Sequence, residues 1–340
     1  MAHGVPRFSR VSGFGPLAAM IARERGDASM FHHRGLDLAS FGAATPIPFA
    51  LMNTIFERAA RLAGDDLFGA RVGLGMAPED FGPFIDYALA GETVGAMISR
   101  QTAVSSIQSN ALHWELGVAG GEAIWSLKYP ADAGLPLIQH AMHFLPTMID
   151  GLRRYVGDDA ALAEVRVPAL TRTSARRLED LLGVRARADR EVAAVAFPAA
   201  WLGRWRPVAG APGVGAAEGA PADLDRPLPR TMVEAILADL TLRADAEGQD
   251  LGAIAADLGS SRRTVQRLLS AEGVSYRDLL RHARMERARG LLHHTHQPIA
   301  EIALRSGYSE QANFHRAFVA ATGMTPKRFR QIARAWPLAA

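Results

Sequence analysis

Two stretches near the C-terminus share one outline: DLGAIAADLGSSRRTVQRLLSAEGVS over residues 250–275 and PIAEIALRSGYSEQANFHRAFVAATGMTP over residues 298–326. In the first, Asp250 suits an N-cap, and Leu251, Ile254, Ala255 and Leu258 fall at i, i+3, i+4 and i+7, one face of a helix. Gly259 provides a tight turn, Ser260 or Ser261 can cap the next helix, and Val265, Leu268 and Leu269 give that helix a buried stripe before Gly273 ends it. The second stretch repeats the plan. Pro298 suits a first helical turn; Ile302, Ala303 and Gly307 follow Ile254, Ala255 and Gly259 at a constant offset, and after one inserted residue Phe314 and Phe318 take the places of Val265 and Leu269. Gly323-Met324-Thr325-Pro326 echoes Gly273-Val274-Ser275-Tyr276. The pattern predicts two helix-turn-helix units in tandem.

The faces opposite the buried stripes carry the chemistry. Ser261, Arg262, Arg263, Gln266 and Arg267 lie on one second helix; Gln311, Ala312, Asn313, His315 and Arg316 lie on the other. Bases in a major groove are read by such groups: Arg pairs with guanine O6 and N7, Asn or Gln with adenine N6 and N7, and small apolar groups touch the thymine methyl. A solvated polar face explains either helix alone equally well. Two units with matching turns favour double-stranded DNA as the partner. Between them, from Tyr276 to about Leu292, no proline interrupts a helix whose expected buried side is Tyr276, Leu280, Met285, Ala288 and Leu292. Such a helix is roughly 25 Å long, enough to hold two recognition helices one DNA turn apart. Arg277, Arg281, Arg284, Arg287 and Arg289 make it basic, and some of them can reach phosphates.

These residues resemble the AraC/XylS transcription regulators. The resemblance covers about residues 229–330 and is most specific over 254–273 and 299–329, including IALRSGYSEQANFHRAFVAATGMTPKRFR. It implies that both recognition helices enter successive major grooves on one face of DNA, with Arg263, Gln266 and Arg267, then Gln311, Ala312, Asn313 and Arg316, facing bases. The family varies at the position of Arg263, so the base it reads does not transfer.

Composition sets outer bounds. A chain of 340 residues, 49% hydrophobic, can bury more than one core. Its net charge is only +3, and of 38 basic residues only Lys128 and Lys327 are lysine, so the placement of arginines says more than their number. The absence of cysteine excludes disulfides, thiolate metal sites and a cysteine nucleophile, and with them the alkyl-accepting cysteine that some DNA-repair methyltransferases join to such a module. No apolar run approaches the roughly 20 residues of a membrane span, and no signal-peptide pattern opens the chain; the expected location is the cytoplasm, on the nucleoid when DNA is bound.

Upstream, residues 1–13 carry no usable pattern and read as a frayed end. Helices are expected over residues 16–25, 48–63 (buried side Leu51, Ile55, Ala59 and Leu62), 81–91, 92–110 and 136–155, with a break at Asp65-Asp66-Leu67-Phe68-Gly69. Residues 112–118 and 123–129 around Gly120-Gly121 signal a hairpin, and residues 163–170 and 192–197 read as strands with a helix between them. Residues 210–229 are rich in Ala, Gly and Pro, as a linker would be. Residues 62–99, LAGDDLFGARVGLGMAPEDFGPFIDYALAGETVGAMIS, resemble the effector-binding region that precedes this module in one branch of the same family; this implies a sensory and dimerising domain without carrying over any ligand residue.

Trp114 and Trp125 on the hairpin, with His140 and His143 on the following helix, are candidates to line an effector pocket, against the reading that they are ordinary core. His293-His294-Thr295-His296 has the density of a metal site but sits in a connection where polar residues are expected; no metal, cofactor or catalytic constellation is assigned.

The expected architecture is an α+β N-terminal sensor domain (residues 1–208), a linker (209–228) and an all-α C-terminal domain (229–335) with two helix-turn-helix motifs joined by a long helix. The expected protein is a sequence-specific regulator, an activator in kind and not an enzyme. It acts as a homodimer with a small-molecule effector, DNA and RNA polymerase as partners, and no membrane. The alternative is a DNA binder whose N-terminal domain binds no ligand and serves only dimerisation or protein contact.

Overall fold

The computed structural model describes residues 6–14, 16, 17, 20, 45–76, 83–129, 137–158, 160–168, 170–189, 192–207, 228–242 and 250–335. Nearly all of the expected linker and most of the expected helix over residues 16–25 lie outside them. The chain divides into two compact units, one holding most residues up to Leu228 and the other beginning its main segment at Pro229.

The N-terminal unit is built around one helix. Its elements run β1 (Phe8–Arg10), a 3₁₀ turn (Val11–Phe14), β2 (Pro46–Pro48), α1 (Phe49–Ala63), α2 (Phe68–Leu74), α3 (Pro83–Leu89), α4 (Val94–Gln108), β3 (His113–Ala119), β4 (Glu122–Lys128), α5 (Ile138–Val156), β5 (Glu164–Pro168), α6 (Arg172–Leu182), β6 (Ala186–Asp189) and β7 (Val192–Pro198). A five-stranded sheet has the order β3-β4-β7-β5-β6, with every pair antiparallel except β5 with β6, which α6 connects. The buried run Ala193 to Phe197 marks β7 as a central strand. Met142, Leu145, Met148, Ile149 and Leu152 of α5 share a core with Trp125 and Leu127 of β4, Val165 of β5, and Val195 and Phe197 of β7.

Two expectations fail here for physical reasons. Residues 8–10 are no frayed end: Phe8, Ser9 and Arg10 are buried in a two-stranded ribbon with β2, the Ser9 and Ser109 hydroxyls lie 2.7 Å apart, and Arg10 Nε donates to the carbonyl of Ile107 at 2.8 Å. Leu62 is exposed, while Met52 and Phe56 join Leu51, Ile55 and Ala59 on the buried side of α1. The expected break after α1 is present and short, since Phe68 already opens α2. The glycines of α2 are there for proximity: a Cβ at Gly69 would stand 2.0 Å from the carbonyl oxygen of Gln139, and one at Gly73 2.2 Å from that of His143. Four residues apart, they give α2 a bare face against α5. Gln139 fastens the packing, its Oε1 accepting from the Gly69 amide at 2.8 Å and its Nε2 donating to the Asp66 carbonyl at 2.9 Å.

The C-terminal unit is all helical: α7 (Met232–Leu242), α8 (Leu251–Asp257), α9 (Arg262–Ala271), α10 (Tyr276–His294), α11 (Ile299–Arg305), α12 (Gln311–Thr322) and α13 (Pro326–Ala335). It has two small cores strung on α10. Leu279 and Ala283 face Ile236, Leu240, Leu251, Ile254, Val265 and Leu269; Met285, Ala288 and Leu292 face Ile302, Ala303, Phe314 and Phe318. Tyr276 and Leu280, expected on the buried side, are half-buried at the edge of the first core. Among the described residues no helix is long and apolar enough to cross a membrane.

Candidate nucleic-acid interface and ligand cavity

Each helix pair turns on a left-handed glycine, Gly259 at φ +65° and Gly307 at φ +78°. This is a conformation that a side chain strains. Ser261, not Ser260, caps α9, its Oγ accepting from the Thr264 amide at 3.1 Å. Asp250 holds the N-cap position of α8 but makes no side-chain cap bond; its carboxylate instead pairs with Arg262 at 3.3 Å, bracing one helix against the other. Pro298 stands at the N-cap of α11, one residue ahead of the first turn. The echo after each second helix has a shared purpose: Ser275 caps α10 by accepting from the Asp278 amide, and Thr325 Oγ1 accepts from the Arg328 amide, both at 3.2 Å.

The buried stripes Val265 and Leu269, Phe314 and Phe318 turn the polar faces outward. Ser261, Arg262, Arg263, Gln266 and Arg267 are all exposed, as are Gln311, Ala312, Asn313, His315 and Arg316. Arg263, Thr264, Gln266, Arg267 and Ser270 line a concave patch on α9. On α12 the face is tied together, Arg316 Nη2 donating to Asn313 Oδ1 at 2.5 Å and Asn313 Nδ2 to Glu310 Oε2 at 3.4 Å. Along α10, Arg277 and Arg281 are exposed and Arg281 pairs with Asp278 at 3.2 Å. Arg284, Arg287 and Arg289 are half-buried, with Arg284 over the Tyr308 ring and Arg289 paired with Glu286. Of these five, Arg277 and Arg281 are the exposed ones. His296 is exposed and His293 half-buried; among the described residues no group of three or more His, Cys, Asp or Glu could hold a metal ion.

The N-terminal unit contains a cavity of about 400 Å³ walled by α2 to α6 and the β3–β4 hairpin. Trp114 and Trp125 are in its wall, tilted at 36° with ring centres 5.4 Å apart, and Phe144 meets Trp114 edge-on. His140 and His143 are not. They are buried in an aromatic box with Phe49, Phe56 and Tyr129. His143 donates from Nδ1 to the carbonyl of His140 at 2.7 Å, and the Tyr129 hydroxyl lies 3.1 Å from His140 Nδ1. Burial, then the neighbouring His143, holds His140 well below its ordinary pKa, and burial pushes the Tyr129 phenol up, so both stay neutral. Gln101 of α4 and Arg153 of α5 also line the cavity. Nothing in the sequence marks Gln101, and Arg153 stands there only as half of a basic pair at a helix end.

The sequence matches agree with this geometry. The helix-turn-helix domain family model matches residues 254–332, and the arabinose-binding N-terminal domain of AraC transcription regulators matches residues 28–205, which is 178 of 340 residues. The chain belongs to the AraC family of DNA-binding transcription regulators. It is similar to the ornithine utilization regulator of Pseudomonas aeruginosa, 36% identical over 92 residues and 27% of each chain. It is also similar to the transcriptional activator NphR of a Rhodococcus species, 34% identical over 110 residues and 32% of each chain. These matches span about a third or less of each relative's length. Among solved structures, the transcriptional regulator CdpR from Pseudomonas aeruginosa is 21% identical with a TM-score of 0.37, over 82% of this chain and 91% of that one. The family assignment rests on the sequence matches and not on that overlap.

Proposed function

We propose that residues 229–335 read a specific DNA site through two adjacent major grooves, and that residues 1–208 receive a small-molecule effector and join two copies of the chain, with 209–228 as linker. The observation that carries the DNA reading is the paired exposure of Arg263, Gln266 and Arg267 on α9 and of Gln311, Asn313 and Arg316 on α12, each presented by its own core. Ser261 and Arg262 at the start of α9, and Ala312 and His315 on α12, complete the face, with Arg277 and Arg281 toward the backbone. Bound at a promoter in the cytoplasm, the protein would act as an activator that meets RNA polymerase. The effector works by binding one state of the protein better than the other.

Selection of binding duplexes from a random pool, followed by titration of variants on the selected site, tests the DNA reading. Arg267→Ala and Arg316→Ala are expected to cost about 1–3 kcal/mol each on the selected site and to relax one base position. Arg281→Ala is expected to weaken all duplexes alike and to flatten the salt dependence. Equal losses on every duplex for Arg267→Ala and Arg316→Ala would refute base reading.

A further inference from the structure

Of the two edges of the five-stranded sheet, one is guarded and the other is open. β6 is four residues long and carries Arg187 and Asp189; short charged strands resist pairing with another chain. β3 runs for seven residues opposite β4 in unbroken register, without proline, lysine or a bulge. Its exposed residues include Leu116 at 36% and Val118 at 57%, and a Cβ on Gly117 would meet nothing within 4 Å. Leu116 and Val118 stand opposite Trp125 and Ala123, on the core side of the sheet, so an apolar row begun by buried Trp114 continues out into solvent.

The register shows which backbone groups of β3 are free. Gly120 and Gly121, both at positive φ, close a two-residue hairpin turn. Ala119 and Glu122 therefore form a hydrogen-bonded pair, and so do the alternate pairs Gly117 with Ile124 and Glu115 with Ser126. In agreement, the Ala199 amide donates to the Gly121 carbonyl at 2.9 Å, which turns the odd-numbered residues of this arm toward β7 and leaves the even-numbered ones to β3. The amides and carbonyls of Trp114, Leu116 and Val118 thus point away from β4, and among the described residues nothing takes them.

Resting on the reading that the N-terminal unit joins two copies of the chain, we infer that β3 pairs antiparallel with β3 of a second copy about a two-fold axis at Leu116. In that register Leu116 meets its own mate and Trp114 meets Val118, so every free group on both strands finds a partner and the exposed apolar row is covered. On the other face Glu115 meets Gly117 and His113 meets Ala119, small residues that leave room for the Lys128–Glu115 ion pair at 2.5 Å. A shift of the axis to Glu115 sets two carboxylates face to face, and a shift to Gly117 leaves the Trp114 groups opposite the turn, beyond the end of the facing strand. This self-complementarity favours a second copy over an unrelated peptide.

The chain has no cysteine, so single substitutions report the pairing through disulfide formation in the full-length protein. Leu116→Cys is expected to link to itself on mild oxidation, because facing residues of a hydrogen-bonded pair lie about 5.5 Å apart between Cα atoms and a disulfide spans roughly 4.4–6.8 Å. Glu115→Cys mixed with Gly117→Cys links, each alone links far less, and Arg187→Cys on the guarded edge is the collision control. Sedimentation velocity gives the second reading. The wild-type chain is a dimer, and Val118→Lys, at an exposed site and with folding checked by circular dichroism, weakens it about tenfold or more. Arg187→Glu leaves it intact. A dimer that survives Val118→Lys and gives no Leu116→Cys linkage overturns the β3 surface while the joining reading stands. A wild-type chain that stays monomeric, with Leu116→Cys unreacted, overturns both and leaves the edge to a strand of another protein. Self-linkage of Gly117→Cys in place of Leu116→Cys overturns the register.

Discussion

The two units handle polar groups in opposite ways. The C-terminal unit pushes them out: two small cores of aliphatic and phenyl side chains lie beneath helices whose Arg, Gln and Asn groups stand in solvent. The N-terminal unit draws them in. Arg10, Gln139, His140 and His143 are buried, and Trp125, Gln101 and Arg153 surround a cavity. A unit of the first kind presents a surface to a large charged polymer and risks little by it. A unit of the second kind keeps its polar groups out of solvent, and its stability depends on every one being satisfied or neutral.

The largest expected effects separate the units by what holds each together. Phe314 is fully buried, 5.5 Å from Tyr308 edge-on and 5.6 Å from Phe318, in a core of few residues. Phe314→Ala is expected to cost about 3–5 kcal/mol in chemical denaturation and to abolish reading by α12. A loss confined to the N-terminal unit's transition would break the division drawn above. In that other unit the matching lesion adds a group. Gly69→Ala drives a Cβ into the backbone of α5, a neighbour that cannot rotate away, and is expected to cost about 1–3 kcal/mol or somewhat more, read as a lower denaturation midpoint.

Those two sites also show what a sequence displays. Phe314 is legible because its face repeats every 3.6 residues and its unit repeats along the chain. The recognition faces are legible for the same reason, since outward polar groups are the complement of an inward stripe. Gly69 reads in sequence as part of a break, and Gly73 as nothing in particular, because close approach of α5 is a tertiary fact; their spacing of four on one helical face is the available signal. Strand β1 escapes a local reading because its three residues are held by a partner some 40 positions away and by Ser109. β6 alternates in sequence, Ala-Arg-Ala-Asp, but it is only four residues long with alanine as its apolar member, and at an edge of the sheet its burial does not follow the alternation. His140 and His143 suit polar anchors beside the hairpin, yet helical spacing alone does not show that they face α1 and Tyr129 instead of the cavity.

A smaller effect tests whether buried neutral groups set the N-terminal unit apart. His140 is held neutral in the fold, while in the unfolded chain it takes a proton near pH 6.5. Below that pH the unfolded state binds more protons than the folded state. The His140 contribution is therefore intact above about pH 6.5 and declines as pH falls toward the depressed folded value, with a slope of at most ~1.4 kcal/mol per pH unit. Denaturation midpoints at pH 7.5 and 5.5 should differ more in the wild-type chain than in His140→Gln. Equal differences would mean that groups other than His140 carry the acid sensitivity in this window.

The finest contrast lies inside the DNA-binding unit. α9 begins at Ser261, whose hydroxyl takes the Thr264 amide, whereas α12 begins at Glu310, which makes no cap bond with its side chain. Ser261→Ala is expected to cost about 1 kcal/mol of stability, and Glu310→Ser to gain a few tenths to about 1 kcal/mol, because a short hydroxyl reaches an amide that the longer carboxylate leaves open. On DNA the signs part. Glu310 gathers Asn313, which in turn holds Arg316, so Glu310→Ser frees that arm while it firms the helix. If the preset geometry of the arm matters for reading, the variant is more stable and binds its selected duplex less well, and the two quantities move in opposite directions. If both rise together, Glu310 is only a poor cap with a negative charge facing phosphates, and the reading surface of α12 begins at Gln311.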